Sequence, residues 1–231
     1  VMPETGFRPV PSEERNSWQA MGQTFKGGVQ AVRRWPTLTA IMAIALFYGA
    51  SSEPLDRLWQ FHLLESFTIP SIGGLDPVVW FGVINAGALV FGIAFIEIVR
   101  RKFNVDDSRI AVRLLFGINA ALVASVLVFA LAGSFAIAVA SFLAGDIFRR
   151  VSVPIFNAWT NQHLDSKIRA TVFSMRGQSD SLGQIAAGPA IGALATATTV
   201  RVALLSVGAL LVPAQGIYAL AMRRRRGQLH T

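Results

Sequence analysis

Apolar residues in this chain come in blocks of about twenty, not at the spacings of an ordinary water-exposed helix or strand. A helical block of that length, at ~1.5 Å per residue, matches the ~30 Å hydrocarbon core of a bilayer. The blocks predict membrane-spanning helices over 37–58, 78–99, 112–131, 134–156, 168–194 and 202–222. The first block thins at Ser51, Ser52, Glu53 and Pro54, which predicts a helix broken near its far end. Ser71-Ile72-Gly73-Gly74 with Asp76-Pro77, and Ala132-Gly133-Ser134, are turn signals between short-looped spans. The expected fold class is an all-α membrane protein, a six-transmembrane-helix bundle over 36–222. A cytoplasmic linker (1–35) precedes it and a basic cytoplasmic tail (223–231) follows.

Within the linker, Trp18, Met21, Phe25, Val29 and Val32 recur at spacings of three and four, beside Lys26, Arg33 and Arg34. That pattern predicts an amphipathic helix lying on the inner leaflet. Gly27-Gly28 weakens it, and an ordinary linker with some helical character is the alternative. Pro3, Glu4, Pro9, Pro11, Glu13 and Glu14 are the opposite of an apolar signal sequence, so the first span is expected to act as its own insertion signal.

Charge changes the picture by giving it a direction. Of the 21 Lys and Arg residues, sixteen fall in one alternate set of connections and termini, and only Arg57 and Arg201 in the other; Arg149, Arg150 and Arg176 lie inside predicted spans. Basic connections stay on the cytoplasmic side during insertion, so both termini are expected there and the chain is expected in the plasma (inner) membrane. The net charge of +8 is explained by the same rule and is not a nucleic-acid footprint, which would gather basic groups on one folded face with stacking aromatics. Composition agrees: 53% of residues are hydrophobic, 15% are charged, and the mean hydropathy is +0.50.

With no Cys, disulfides and thiolate metal sites are excluded. His62, His163 and His230 show no ligand spacing, and no grouping of nucleophile, base and orienting residue occurs. Neither an enzyme nor a cofactor is expected. The chemistry that stands out is ionisable groups at membrane depth, which are costly there and mark functional sites by default. Asp146, Arg149 and Arg150 stand at i, i+3 and i+4 in the fourth span, and Arg176 and Asp180 at i and i+4 in the fifth. Counting ~1.5 Å per residue puts Asp146 roughly 17 Å, and Asp180 roughly 18 Å, from the start of its span, near mid-membrane. Acid is expected to pair with base across the interface of these two helices. The group would line a polar cavity or gate, helped by Gln178, Ser179, Ser181 and Gln184. A structural ion-pair network locking the helices together is the other reading.

Glu53, Asp56 and Arg57 form a second cluster, where Glu53 is either a proton-coupling carboxylate or a marker of the helix leaving the membrane. Asn85, Asn119 and Gln215 are single polar groups within spans, suited to helix-to-helix hydrogen bonds, and Asn85 is kept as a pathway candidate. Gly188 with Gly192, and Gly82, Gly87 and Gly92, are expected to allow close helix approach. Pro154, Pro189 and Pro213 predict kinks.

The stretch Asn157-Ala-Trp-Thr-Asn161-Gln-His-Leu-Asp165-Ser-Lys-Ile-Arg169-Ala-Thr-Val-Phe-Ser174 resembles the loop between the tenth and eleventh helices of the major facilitator superfamily. Gly183-Gln-Ile-Ala-Ala-Gly-Pro-Ala-Ile-Gly192 is similar to the eleventh helix, and Ser52 to Trp59 to the seventh helix of drug-efflux-like members. Met2 to Phe7, with the amphipathic segment after it, resembles the linker between the two halves of the family. Glu97, Arg101 and Lys102 fit the family's basic gating motif, whereas Ile98 and Arg100 depart from it; Asp165 and Arg169 belong to the next cytoplasmic loop.

The resemblance implies the C-terminal half of a secondary active transporter, with proton-coupled efflux of a small-molecule substrate by alternating access. It also implies a partner bundle, either an N-terminal six-helix half on a longer chain or a second copy. The alternative is a non-transporting six-span membrane scaffold or partner subunit. Reporter fusions placed after each span are expected to alternate sides, with both termini cytoplasmic; two successive connections on one side would remove the topology.

Overall fold

The computed structural model describes residues 35–70, 77–103, 105, 107–162, 164 and 168–227. The amphipathic segment at Trp18 to Val32, the turn at 71–76, His163, Asp165, Lys167 and the tail beyond 227 lie outside these residues. Among the described residues there are six helices: α1 (Pro36–Ser66), α2 (Pro77–Lys102), α3 (Ser108–Leu131), α4 (Phe135–Asn161), α5 (Arg169–Ala197) and α6 (Val200–Gly227). No strand occurs among the described residues.

Local chemistry sets the ends. Asp107 caps α3 by accepting from the Arg109 N–H at 2.7 Å, and the Ser134 hydroxyl accepts from Ile137 N–H at 3.4 Å at the start of α4. Across the first connection, the Trp80 indole donates to the Pro70 carbonyl at 2.8 Å. Contrary to expectation, α1 is not broken: it runs 31 residues straight through Pro54, which is buried. Proline removes one intrahelical bond, and packing on neighbouring helices holds the rest. Ser51 and Ser52 turn their hydroxyls back onto the Tyr48 and Gly49 carbonyls, so the polar residues that thin the apolar run satisfy themselves within the helix.

Among the described residues, four helices, α1, α2, α3 and α6, are long and apolar enough to cross a membrane. The two that fall short are α4 and α5, which carry the charged groups in their middles. Large apolar side chains face outward, above all on α2, where Val78, Val83, Val90, Phe91 and Ile93 are all exposed. An outer surface of that kind suits lipid, not water, so the chain is a membrane-associated all-helical protein.

Pairing follows a rule. Helix α1 packs on α5 and α6, α4 packs on α2 and α3, α3 packs on α6, and α1 meets α4 only lightly. Exchanging α1, α2, α3 for α4, α5, α6 leaves this scheme unchanged, apart from an added contact between α5 and α6. Three is odd, so in an up-and-down bundle the second triplet runs inverted relative to the first.

The core is two apolar clusters stacked end to end. One gathers Leu55, Trp59, Leu63, Leu122, Phe129, Phe142 and Leu204; the other gathers Leu38, Ile41, Ile44, Leu115, Ile155, Trp159 and Tyr218. Buried Ser51 of α1, Asn119 of α3 and Asp146 of α4 fall in sequence between the positions given to the two clusters, whereas buried His62, Ser152 and Thr160 lie within or beyond the span of one cluster.

The closest approach is between α1 and α5. A Cβ on Gly183 would lie 2.0 Å from the Leu46 carbonyl oxygen, and one on Gly49 1.9 Å from that of Asp180. Backbone therefore touches backbone here, at glycines different from those expected. Gly82 and Gly192 face open space, while Gly188 and Gly92 accommodate only side-chain stems, of Glu53 and Arg150. Gly49→Val or Gly183→Val is expected to prevent normal packing of α1 on α5, costing at least the ~1–3 kcal/mol of an overpacked core. Gly82→Ala should be neutral or stabilising by up to ~1 kcal/mol. Thermal unfolding in detergent of the three variants checks this.

Candidate functional site

The layer between the two apolar clusters holds a cavity of about 270 Å³. Its walls are Tyr48 and Ser52 of α1, Arg149, Ser152, Phe156 and Asn157 of α4, Arg176 and Asp180 of α5, and Tyr218 of α6. Helices α4 and α5 face each other across it and barely touch, so the cavity is what the bundle leaves where the charged helices do not close.

On the α4 side, the carboxylate of Asp146, nearly fully buried, accepts from Arg149 at 3.0 Å and from Arg150 at 2.5 Å. Arg149 also reaches across to Asp56 of α1 at 2.7 Å. The result is a chain of four alternating charges, Asp56, Arg149, Asp146 and Arg150, with no net charge. The stem of Arg150 lies over Gly92 of α2. Just beyond, Trp59 stacks on Phe142 with ring centres 4.4 Å apart, so ion pair and aromatic stack together close the bundle between α1 and α4. The cavity lies on the other side of Arg149.

On the α5 side, the Arg176 guanidinium packs near two aromatic rings, 5.4 Å from the centre of Phe156 and 5.0 Å from that of Phe173. It donates to the Asn157 side-chain oxygen across the cavity. Asp180 accepts from Gln184 at 2.7 Å. Among the described residues, no carboxylate lies within 4.0 Å of Arg176 and no basic group within 4.0 Å of Asp180.

The expectation that acid pairs with base between α4 and α5 is therefore corrected. Each α4 arginine finds its carboxylate on its own helix, at i−3 or i−4, and Arg149 takes its second on α1, while the cavity keeps α5 out of reach. The two expected clusters merge instead, because Asp56 belongs to the same network as Asp146. Glu53 and Arg57 remain a separate pair at 2.5 Å, one turn apart on α1.

Other candidates lie elsewhere. Gln178 and Ser181 are exposed on the outer face of α5 and do not line the cavity, and the Ser179 hydroxyl donates to its own helix at Met175. Asn85 is exposed on α2 and donates to Phe81 of the same helix at 2.8 Å, so it neither joins helices nor reaches the cavity. Asn119 and Gln215 do join α3 to α6, at 2.7 Å. Glu97 holds Arg100 at 2.9 Å and Arg101 at 2.7 Å at the end of α2, with Lys102 exposed beside them, and Arg169 is exposed at the start of α5. His62 is buried as a bridge, its Nε2 3.0 Å from the Phe129 carbonyl of α3.

The sequence reading missed Tyr48, Tyr218, Ser152 and Asn157 as wall residues. A signal existed for two of them: the chain has only two tyrosines, both inside apolar blocks, and their hydroxyls lie buried beside the cavity. No known family model, curated protein or solved structure matches the chain.

The four-charge network makes unequal demands on its members. Arg149→Met removes the one group that joins α1 to α4 and deprives two carboxylates, approaching the ~3–5 kcal/mol loss of a broken buried pair. Asp56→Asn, at a half-exposed site, leaves Arg149 with Asp146 and should cost about 1 kcal/mol or less. Reversible unfolding of both variants in mixed micelles measures the difference.

Proposed function

We propose that all six helices cross the bilayer, both ends cytoplasmic, and that the bundle serves as the C-terminal half of a major-facilitator-type secondary transporter. Its task is proton-coupled efflux of a small molecule by alternating access. The observation that carries this reading is the mid-layer cavity, where Arg176 and Asp180 attract each other only from beyond ion-pair contact and each takes a neutral amide instead, in a zone where burying them is costly. A purely structural role for those charges is better served by pairing them, as the α4 network does.

Two further features support the reading. The exchange of triplets matches a pair of inverted three-helix repeats, an arrangement that places sites near the midplane at the repeat interface. The α1–α4 junction is also light, held by one ion pair and two aromatic contacts, Trp59–Phe142 and Tyr48–Phe156, which suits a closure that opens. On this reading Asp56, Arg149 and the Trp59–Phe142 stack close the pathway toward one face, and the cavity is entered from the other. Glu97, Arg100 and Arg101 sit at the opposite end, where basic groups stay on the cytoplasmic side. A partner bundle, on a longer chain or a second copy, completes the pathway.

Single cysteines in this Cys-free chain test the proposal. Ser52→Cys and Ser152→Cys should react with a membrane-impermeant maleimide in native membranes, while Leu204→Cys in the apolar core should not. Sealed, unreactive cysteines at both wall positions would favour a non-transporting scaffold instead.

A further inference from the structure

Arg176 and Asp180 stand four residues apart on one face of α5, the arrangement in which acid and base usually meet. Here they do not: Arg176 turns to the Asn157 amide across the cavity, and Asp180 to the Gln184 amide along its own helix. Both line the same space. A neutral amide orients each group without neutralising it, and the two attract each other only from beyond ion-pair contact, so an open guanidinium and an open carboxyl group face a cavity with mainly apolar and aromatic walls. Every other ionisable group in this layer is already spoken for, since Asp56, Arg149, Asp146 and Arg150 neutralise one another and Glu53 holds Arg57.

Two opposite charges left open on adjacent turns, beside aromatic surface, call for a ligand that brings both counter-charges and an apolar body. We propose that the cavity binds a zwitterionic amphiphile of amino-acid size, its carboxylate on Arg176 and its ammonium on Asp180. The inference rests on the transporter reading of the same cavity. The fork of Arg176, held by Asn157 and packed near Phe156 and Phe173, presents its remaining N–H groups to a carboxylate. Asp180 offers the oxygen that Gln184 leaves free to an ammonium. The apolar portion of the ligand lies against Tyr48, Phe156 and Tyr218. About 270 Å³ is near the lower end of small-molecule pockets, which sets the size class.

A single-charge ligand would leave one of the two groups desolvated and unmatched. The cost of an unpaired partner is what lets such sites reject analogues.

The test is protection of Ser52→Cys from maleimide by four related probes: phenylalanine (both charges), phenylalaninamide (cation only), N-acetylphenylalanine (anion only) and 2-phenylethanol (neutral). The full chain in native membranes is used. Phenylalanine is expected to protect at concentrations at least about tenfold below the other three. Arg176→Gln should abolish the advantage of phenylalanine over the amide while keeping that over the acetyl derivative, and Asp180→Asn should do the reverse. Equal protection by all four probes, or none by any, overturns the inference while the labelling itself leaves the cavity and the transport reading standing. A Ser52→Cys that fails to label in membranes removes both. Normal expression, with Leu204→Cys still unreactive in each variant background, reports that the variant folds.

Discussion

The structure is organised by the cost of holding charge where water is scarce. An isolated ion buried away from water is expensive, so each must find a partner, a dipole or a wet space. Helix α4 solves this with partners, drawing Arg149 and Arg150 onto the buried Asp146 and sending Arg149 on to Asp56. Helix α5 solves it with amides and a cavity. The different solutions on two helices that face each other leave a cavity between them into which Arg176 and Asp180 open. Everything functional in the proposal follows from that asymmetry.

Around this layer the packing is ordinary and apolar. Two clusters, one near Trp59 and Phe129 and the other near Trp159 and Leu115, hold the helix ends, and the polar layer lies between them. The α1–α5 contact at Gly49 and Gly183 fixes α5 by backbone contact, so Arg176 and Asp180 are presented from a rigid position. The α1–α4 contact is light, combining the Arg149–Asp56 ion pair with aromatic packing. On the proposed transport reading, one tight seam and one weak seam on either side of a cavity would set the direction in which the bundle opens.

Much of the architecture was legible in the sequence. Bilayer-length apolar blocks separated by turn residues mark six helices, because length and hydropathy are local properties of the chain. The charges at Asp146, Arg149, Arg150, Arg176 and Asp180 were equally visible, since ionisable residues inside apolar blocks stand out against their neighbours. Pro54 misled for the same local reason: a proline beside serines and a glutamate reads as a break, yet neighbouring helices carry the chain through it.

Partner choice was not legible, and it decides the chemistry. Whether Arg149 meets Asp180 or Asp56 depends on which helices lie adjacent, and adjacency is set by glycine contacts and ring packing spread over 150 residues of chain. Spacing of i, i+3 and i+4 correctly joined Asp146 to its own arginines but could not show that the same spacing fails to join Arg176 to Asp180. Nor could it show that Gln178 and Asn85 face outward while Tyr48, Asn157 and Tyr218 face in. The sequence alone determined which segments are helical, which are apolar and which residues carry charge inside them. Only the tertiary structure decided which of those charges are neutralised and which are left facing a cavity, because that outcome belongs to pairs of helices and not to any one of them.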